Sequence, residues 1–235
     1  MAVTPKTPGS GSSWCTRQTA RSVPTAADHA RDAARRCVVF REGGKVAAPS
    51  RAGRMADVAV GLAVVDDGGA LFEAALHLRT SPEQARFAKL PAESFPLALA
   101  DPARTPFAVV EQDDGAGRVV GAGVLDTAAP ASDAELAGLL TAAGHDPLRA
   151  VLLRSFVIGA DHQGRGLGTA AARAARGLAA QVALRLAGAA DVVVLTVNER
   201  NPAGRRAYER AGYTDVGQYL GGDAGPQRAM VARCG

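Results

Sequence analysis

The chain has 235 residues, of which 47% are hydrophobic and 21% are charged. A chain of this size and composition can bury one sizeable core or two small ones, which excludes a peptide-sized scaffold held together by disulfides or a metal. The net charge of +4 comes from residues 1–54, which hold ten basic and three acidic side chains, whereas residues 55–235 hold 17 basic and 20 acidic ones; this distribution argues against a nucleic-acid-binding body.

Residues 1–54 are rich in Ser, Thr, Pro, Gly, Ala and Arg and show no sustained hydrophobic periodicity. This composition predicts a disordered basic extension ahead of one folded domain over residues 55–235. Two alternatives remain open: translation from an upstream start codon ahead of Met55, and an organelle transit peptide.

The first predicted elements of the domain are a strand and two short helices. Residues 58–65 have the apolar pattern of a strand, and Asp66-Asp67-Gly68-Gly69 closes it with a turn. Ser81-Pro82-Glu83-Gln84 combines a capping residue, a first-turn proline and an early acid, which predicts a helix running toward Lys89. The next predicted elements are a helix over residues 92–100 and a hairpin formed by residues 107–111 and 118–126.

The second half of the chain mixes strands and helices. Residues 127–148 are small, polar and interrupted by proline, which predicts a surface connection with one short acidic helix over residues 132–142. The remaining predictions are a strand over 150–158, a glycine-rich turn and an alanine-rich helix to about residue 187, a strand over 192–197, a helix over 201–211, and closing strands over 212–219 and 228–233. Because strands and helices do not alternate strictly, the pattern predicts an α+β (mixed α/β) fold.

Cysteine content and hydropathy indicate the cellular setting. Cys15, Cys37 and Cys234 are odd in number and lack Cys or His neighbours at zinc-site spacing, which favours a reduced, cytoplasmic protein without a metal. No segment approaches the roughly 18 consecutive apolar residues of a membrane helix, and no apolar secretory signal opens the chain. Neither a membrane nor a nucleic acid is therefore an expected partner. The abundance of Ala and Arg is typical of a GC-rich bacterial genome.

The strand that ends at Ile158 is followed by a glycine-rich turn, Gly159-Ala160-Asp161-His162-Gln163-Gly164-Arg165-Gly166-Leu167-Gly168-Thr169. Its glycines remove side chains where a backbone must approach a ligand closely, and the helix that begins inside it offers unpaired N–H groups and a positive dipole end. Such a turn suits a phosphate. A tight turn without a ligand is the alternative.

Two familiar phosphate motifs do not fit this turn. A Walker A loop requires Lys and then Ser or Thr where Arg165 and Gly166 stand. A dinucleotide fingerprint requires a third glycine where Thr169 stands.

A third pattern fits at every position. Gln163-x-x-Gly166-x-Gly168 after a buried strand resembles the acetyl-CoA pyrophosphate loop of the GCN5-related N-acetyltransferase (GNAT) family. A second motif of that family follows downstream, with Asn198 ending a strand and then Asn201, Ala207-Tyr208 and Gly212-Tyr213 on and after a helix. The resemblance covers about residues 58–233.

The N-terminal part of the domain is similar to bacterial diamine and polyamine acetyltransferases. The matching residues are Glu83-Gln84-x-x-Phe87, Ser94 with Leu97-Ala98-Leu99-Ala100, Thr105-Pro106-Phe107 and Val120-Gly121-Ala122-Gly123. Two features depart from that pattern: Phe95-Pro96 separates the Ser from the Leu, and the 127–148 insertion is longer than expected.

The resemblance implies a fold and a set of site residues. The fold would be a central, mostly antiparallel seven-stranded sheet, splayed between strands 4 and 5, with about four flanking helices. Acetyl-CoA would be the co-substrate, its thioester and pantetheine held by the backbone of Phe156, Val157 and Ile158. Backbone N–H groups would bind the pyrophosphate at Gln163, Gly164, Arg165, Gly166, Leu167, Gly168 and Thr169.

Individual side chains receive roles by the same resemblance. Tyr208 is the candidate general acid for the departing thiolate, with a packed core residue as the alternative. Asn201 would bind the pantetheine arm or cap its own helix, and Asn198 is assigned to the same site. Arg165 would add charge at the phosphates or be solvated.

The sequence does not single out one residue as the general base. Relatives often carry a Glu on the strand before the loop, where Arg154 and Ser155 stand here. Asp126, Glu199 and a chain of waters are candidates, and His162 is expected to be exposed.

The sequence thus favours an acetyl-CoA-dependent N-acetyltransferase in which the amine of a small molecule, such as a polyamine, attacks directly in a ternary complex. Alternative acceptors are a protein amine, an amino sugar or an antibiotic. An alternative of another class is a non-catalytic acyl-CoA-binding module. A homodimer is common among the proteins that the chain resembles.

Overall fold

The computed structural model describes residues 60–111, 117–222 and 225–235. The extension predicted over residues 1–54 lies outside the described residues.

Seven strands and seven α-helices occur in the described ranges. The strands are β1 (Val60–Val64), β2 (Arg104–Glu111), β3 (Arg118–Asp126), β4 (Ala150–Ile158), β5 (Val192–Asn198), β6 (Thr214–Tyr219) and β7 (Gln227–Arg233). The helices are α1 (Ala70–Leu76), α2 (Pro82–Ala85), α3 (Pro91–Leu99), α4 (Ala129–Ser132), α5 (Ala134–Ala142), α6 (Leu167–Leu186) and α7 (Pro202–Arg210). No helix within these ranges has the length and apolar content to cross a membrane.

The strands form one sheet in the order β1-β2-β3-β4-β5-β7-β6. Every neighbouring pair is antiparallel except β4 and β5, which are parallel. The predicted mixed α/β class and the mostly antiparallel seven-stranded sheet are confirmed. Four helices have nine residues or more, as expected, and α1, α2 and α4 are shorter additions.

The largest differences from the predicted elements lie before β2. The helix predicted from Ser81 toward Lys89 ends at Ala85, because α2 buries none of its residues and has no apolar face to extend it. Helix α1 was not predicted, and it forms because Phe72 and Ala75 reach the core under it. The local sequence pattern predicts such short helices poorly, because tertiary packing stabilises them.

The sheet is covered on both faces. On β2, Phe107 and Val109 join the core under α6, whereas Ala108 joins the core under α1 and α3. Because successive side chains on a strand point to opposite faces, these two cores lie on opposite sides of the sheet. A third core covers β5 and β7 under α5.

Candidate active site

The sheet opens between its two parallel strands. Residues 150–153 of β4 pair with residues 192–195 of β5, and the pairing stops there although β4 continues to Ile158. Strand β5 continues to Asn198 paired with β7. The far end of β4 therefore has a backbone edge that faces a wedge rather than a neighbouring strand.

A β-bulge changes which face of the sheet the side chains at this end of β4 point to. Ala122 lies opposite Val157 and Val124 opposite Arg154, so three steps on β4 match two on β3. The extra residue is accommodated around Ser155, whose φ of 48° is the only left-handed value of a non-glycine residue in the described ranges. Because of the bulge, Leu153 and Phe156 both face α6, which a regular strand would not allow.

Phe156 and Tyr208 belong to a row of four aromatic rings beside the wedge. The ring centroids are 6.5 Å apart for Phe107 and Phe156, 6.3 Å for Phe156 and Tyr208, and 6.0 Å for Tyr208 and Tyr213. Burial raises the pKa of Tyr208 to about 12. The phenol therefore keeps its proton at neutral pH.

The glycine-rich turn presents backbone N–H groups at the mouth of the wedge. Gly164 and Gly166 have φ values of 75° and 81°, a conformation that glycine adopts without a steric cost. Helix α6 begins at Leu167 with no side-chain cap, and the N–H of Ala170 is the first to donate back, to the carbonyl of Gly166. The N–H groups of residues 167–169 thus have no acceptor within this 20-residue helix or elsewhere among the described residues.

Two side chains of the turn point away from those donors and hold it in place. Nε2 of Gln163 donates to Oε1 of Gln84 at 2.6 Å and to the carbonyl of Ile158 at 2.9 Å. The guanidinium of Arg165 forms a two-pronged ion pair with Glu111, which is buried at the end of β2. This pairing is possible because β2 and β4 both run antiparallel to β3 and so end at the same edge of the sheet.

These contacts bear on two predictions for the turn. The charge of Arg165, predicted either to lie at the phosphates or to be solvated, is balanced by Glu111. The backbone N–H of Gln163 donates to the carbonyl of Ala160 at 3.3 Å, so the donors suited to a phosphate begin after Gln163.

The turn, β4 and α7 enclose a cavity of about 620 Å³. Twelve of the thirteen predicted site residues line it, namely Phe156, Val157, Ile158, Gln163, Gly164, Arg165, Gly166, Leu167, Gly168, Thr169, Asn201 and Tyr208.

Asn198 is the predicted site residue that does not line the cavity. Its Oδ1 accepts the N–H of Arg200 and its carbonyl accepts the N–H of Asn201, so Asn198 shapes the connection that leads into α7. Oδ1 of Asn201 accepts the N–H of Gly204 at 2.9 Å, so Asn201 caps α7 and lines the cavity at once.

Arg173 and Arg210 add positive charge to the cavity wall. Nη2 of Arg173 donates to the carbonyl of Arg210 at 3.1 Å, which places the two residues side by side. Within the described part of the chain neither pairs with a carboxylate. Both were missed in the sequence, although Arg173 lies one helical turn after Thr169 and could have been found by that spacing.

The two carboxylates considered as bases lie outside the cavity lining. Asp126 is buried and accepts from Arg104 at 2.9 Å, from Arg154 at 3.1 Å and from the N–H of Ala129 at 2.9 Å. Burial acts to raise its pKa, but these hydrogen bonds outweigh burial, and the pKa of Asp126 is lowered. Glu199 is exposed and accepts from Gln218 at 3.0 Å.

His162 corrects a further expectation. It is half-buried and lines the cavity rather than being exposed, because its ring packs against Gly159, where a Cβ would lie 3.3 Å from the ring. Its Nδ1 is buried without a hydrogen-bond partner among the described residues.

Residues between α1 and α3 form a wall of the cavity that the sequence did not assign to the site. They are Thr80, Gln84, Phe87 and Ala88. Gln84 and Phe87 were part of the polyamine-acetyltransferase signature, but a local pattern does not show which distant element a short helix will contact.

A comparison with models of protein families identifies the family of the chain. The model of the acetyltransferase (GNAT) family matches residues 72–213, which is more than half of the chain. The chain belongs to the GNAT acetyltransferase family. The residues matched include the glycine-rich turn, the splayed strands and α7, so the site described above lies within the family domain.

Solved structures share the fold of this acetyltransferase at low sequence identity. Spermidine N-acetyltransferase from Vibrio cholerae, in complex with CoA and spermine, is 16% identical with a TM-score of 0.50, covering 74% of this chain and 95% of that one. Aminoglycoside acetyltransferase AAC(6')-Ib, in complex with CoA and kanamycin, is 20% identical with a TM-score of 0.53 and the same coverage. No curated protein matches the sequence significantly.

Proposed function

We propose that this GNAT enzyme is an acetyl-CoA-dependent N-acetyltransferase that acetylates a primary amine of a small polycationic molecule, such as a polyamine, in the bacterial cytoplasm. The observation that carries the proposal is the row of N–H groups without intrahelical acceptors at the start of α6, which lies at the mouth of a wedge between two splayed parallel strands. Phosphate and thioester sites would therefore adjoin each other. A cavity with this arrangement matches a ligand with a diphosphate at one end and an acyl group at the other.

The residues present fit coenzyme A. N–H groups at residues 167–169, the dipole of α6 and the guanidinium groups of Arg173 and Arg210 would hold its phosphates. The free backbone edge of β4 would hydrogen-bond the pantetheine amides as a neighbouring strand would, and Ala207 and Gly204 leave room for that arm along α7.

The chemistry requires a polarised carbonyl, a neutral amine and a protonated leaving group. Acetyl-CoA supplies the activated acyl group as a thioester. A backbone N–H of residues 156–158 would donate to the thioester oxygen, and Tyr208 would hold a proton beside the sulfur. Of the candidate bases, Asp126 and Glu199 do not line the cavity, so a chain of waters is the proposed acceptor of the proton of the attacking amine.

A polycationic amine is favoured as the acceptor. Two of the proteins that share the fold were solved with spermine and with kanamycin, both of which carry several amines. The Glu83-Gln84-x-x-Phe87 signature favours the polyamine among these. Homodimerisation remains part of the proposal, and neither a nucleic acid nor a membrane is a proposed partner.

Thiol release tests the proposal. Purified protein is incubated with acetyl-CoA and with spermidine, spermine, putrescine, kanamycin or a lysine-containing peptide, and CoA thiol is followed over time. We expect turnover with at least one polyamine and none without an amine. Turnover with the peptide alone would show that the acceptor is a protein amine and not a small molecule. If calorimetry detects CoA binding but no amine yields thiol, a non-catalytic acyl-CoA-binding module would be favoured.

A further inference from the structure

One wall of the coenzyme cavity has little packing of its own. Residues 80–88, here called the strap, connect α1 to α3 and contain α2. Thr80, Gln84, Phe87 and Ala88 of the strap line the cavity. Yet α2 has four residues and buries none of them. Ala88 packs against the core under α1 and α3, but the middle of the strap, α2, must be positioned by specific contacts rather than by a hydrophobic face.

Gln163 of the glycine-rich turn makes the side-chain contact that connects the turn to the strap. Its Nε2 lies 2.9 Å from the carbonyl of Ile158 and 2.6 Å from the side chain of Gln84. The carbonyl of Ile158 can only accept, so the Gln163 atom facing it must be the NH₂ nitrogen. The second hydrogen of that NH₂ then points to Gln84, which must present its oxygen. Donors and acceptors therefore match without ambiguity.

A backbone contact joins the same two segments. The N–H of Ala160 donates to the carbonyl of Arg79 at 2.8 Å, one residue before the strap. The strap is thus held at its start by the backbone and in its middle by the two glutamine side chains. Loss of the side-chain contact would leave the middle of the strap, with Phe87 and Ala88, held by weaker packing.

We propose that Gln163 is a positioning residue that acts through Gln84, holding the strap against the coenzyme loop so that coenzyme binding and strap order favour each other. This inference rests on the proposed function for the identity of the ligand. The loop that binds the phosphates is the loop that carries Gln163, so a ligand that orders the loop also orders the strap. By thermodynamic reciprocity, a strap held in place strengthens the coenzyme's binding.

The rival interpretation makes the side chain of Gln163 a phosphate ligand, in addition to the backbone N–H that the family resemblance assigns to the phosphates. That role requires its NH₂ to face the cavity and predicts no effect of replacing Gln84. In the structure both hydrogens of the NH₂ are used by Ile158 and Gln84.

Isosteric variants of the full-length protein test the inference. Gln84→Met and Gln163→Met keep the side-chain volume and remove the hydrogen bond between the two glutamines, here called the latch. These two substitutions and their double variant are the latch variants, and together they complete a cycle. Gln218→Met is the matched control, because Gln218 makes one exposed side-chain hydrogen bond to Glu199 and does not line the cavity. Calorimetry with CoA gives Kd, and thiol release gives kcat and KM.

We expect each latch variant to weaken CoA binding about two- to tenfold, the range that one side-chain hydrogen bond supplies. The double variant should be no weaker than Gln163→Met alone, because both substitutions remove the same contact. KM for acetyl-CoA should rise while kcat stays within about twofold. Additive effects, or a Kd unchanged in Gln84→Met, would overturn the inference.

Limited trypsin digestion reports on the strap directly, since Arg86 and Lys89 are exposed within and beside it. CoA should slow cleavage after these residues in the unmodified protein and in Gln218→Met, and should protect the latch variants much less. Equal protection in all variants would also overturn the inference. If the unmodified protein binds no CoA, the proposed function fails together with the latch; if it binds CoA and the variants match it, only the latch fails.

Discussion

Tyr208 is the residue on which the proposed chemistry most depends. It is half-buried between Phe156 and Tyr213, and burial raises its pKa to about 12. A phenol with so high a pKa gives up its proton less readily than an ordinary tyrosine in water. The same apolar surroundings also raise the pKa of a thiolate that leaves beside it, so proton transfer between the two is less unfavourable than their values in water suggest.

Replacing Tyr208 with Phe should lower kcat by about 10²-fold or more, the contribution typical of a positioned general acid, while Kd for CoA stays within about threefold. Because the pKa is raised, the protonated form persists through neutral pH, and kcat should show no decline from Tyr208 ionisation below about pH 11. Thiol-release rates across pH and calorimetry check this. A similar loss in kcat and in CoA affinity would remove Tyr208 from the acid role.

Arg165 and Arg173 both line the cavity but should respond differently to replacement with Ala. Removing Arg165 leaves the buried carboxylate of Glu111 unpaired, which should lower the free energy of unfolding by about 1–3 kcal/mol after allowing for the half-exposed guanidinium. Removing Arg173 should leave stability nearly unchanged and weaken CoA binding, with a smaller dependence on salt. Urea unfolding and calorimetry at two salt concentrations separate the outcomes, and a stable Arg165→Ala protein would show that the pair with Glu111 contributes little.

At the scale of elements, the site depends on irregular features of two neighbouring strands, β3 and β4. Strand β3 carries glycines where the aromatic row needs space: a Cβ on Gly123 would lie 2.6 Å from the ring of Phe107 and 3.2 Å from that of Phe156. Strand β4 bulges at Ser155 and separates from β5. Asp126, at the end of β3, fixes the neighbouring strands through Arg104 and Arg154.

Gly123→Ala should move Phe156 into the cavity and weaken CoA binding, at a stability cost of about 1–3 kcal/mol for overpacking. Gly138→Ala is the matched control, because a Cβ there meets nothing within 4 Å on an exposed position of α5; it should raise stability by up to about 1 kcal/mol. Thermal unfolding and calorimetry measure both. Unchanged CoA binding in Gly123→Ala would show that Phe156 tolerates the shift.

Asp126→Ala should cost about 3 kcal/mol or more, because two guanidinium groups and two backbone N–H groups lose their acceptor. The folded pKa of Asp126 lies below its unfolded value, so its contribution is present above about pH 4 and is lost as the pH falls through the folded pKa. Urea unfolding between pH 7 and pH 3 should therefore show the difference between the two proteins shrinking with acidity. A constant difference would contradict this origin.

At the scale of the whole molecule, the net basic charge lies in residues 1–54, whereas the candidate site lies in the domain that the family model matches. Because these first residues lack hydrophobic periodicity, we predict that deleting them shifts Tm by less than about 2 °C and leaves acetyl transfer unchanged. Differential scanning calorimetry of the full and shortened chains measures the shift. A large drop in Tm would show that the segment packs on the domain.

Several features could be predicted from the sequence because the physics behind them is local. The glycines of the turn, the strand before it and the helix after it are consecutive in the chain, and together they define an uncapped helix N-terminus of the kind that suits a phosphate. Asn201 next to Pro202 marks the start of α7 in the same local way. Apolar runs predicted the central strands for the same reason.

Only the tertiary structure decided which side chains of the turn are engaged in holding the candidate site together. Gln163 and Arg165 stand in the phosphate motif, yet their partners, Gln84 and Glu111, are 79 and 54 residues away in the chain. No local pattern encodes such pairs, because they form where the end of β2, the turn after β4 and a short helix before β2 meet at one edge of the sheet. The backbone conformation of the turn and the start of the helix could therefore be predicted from the sequence. The side-chain contacts of Gln163 and Arg165 could not, because they depend on how distant segments pack.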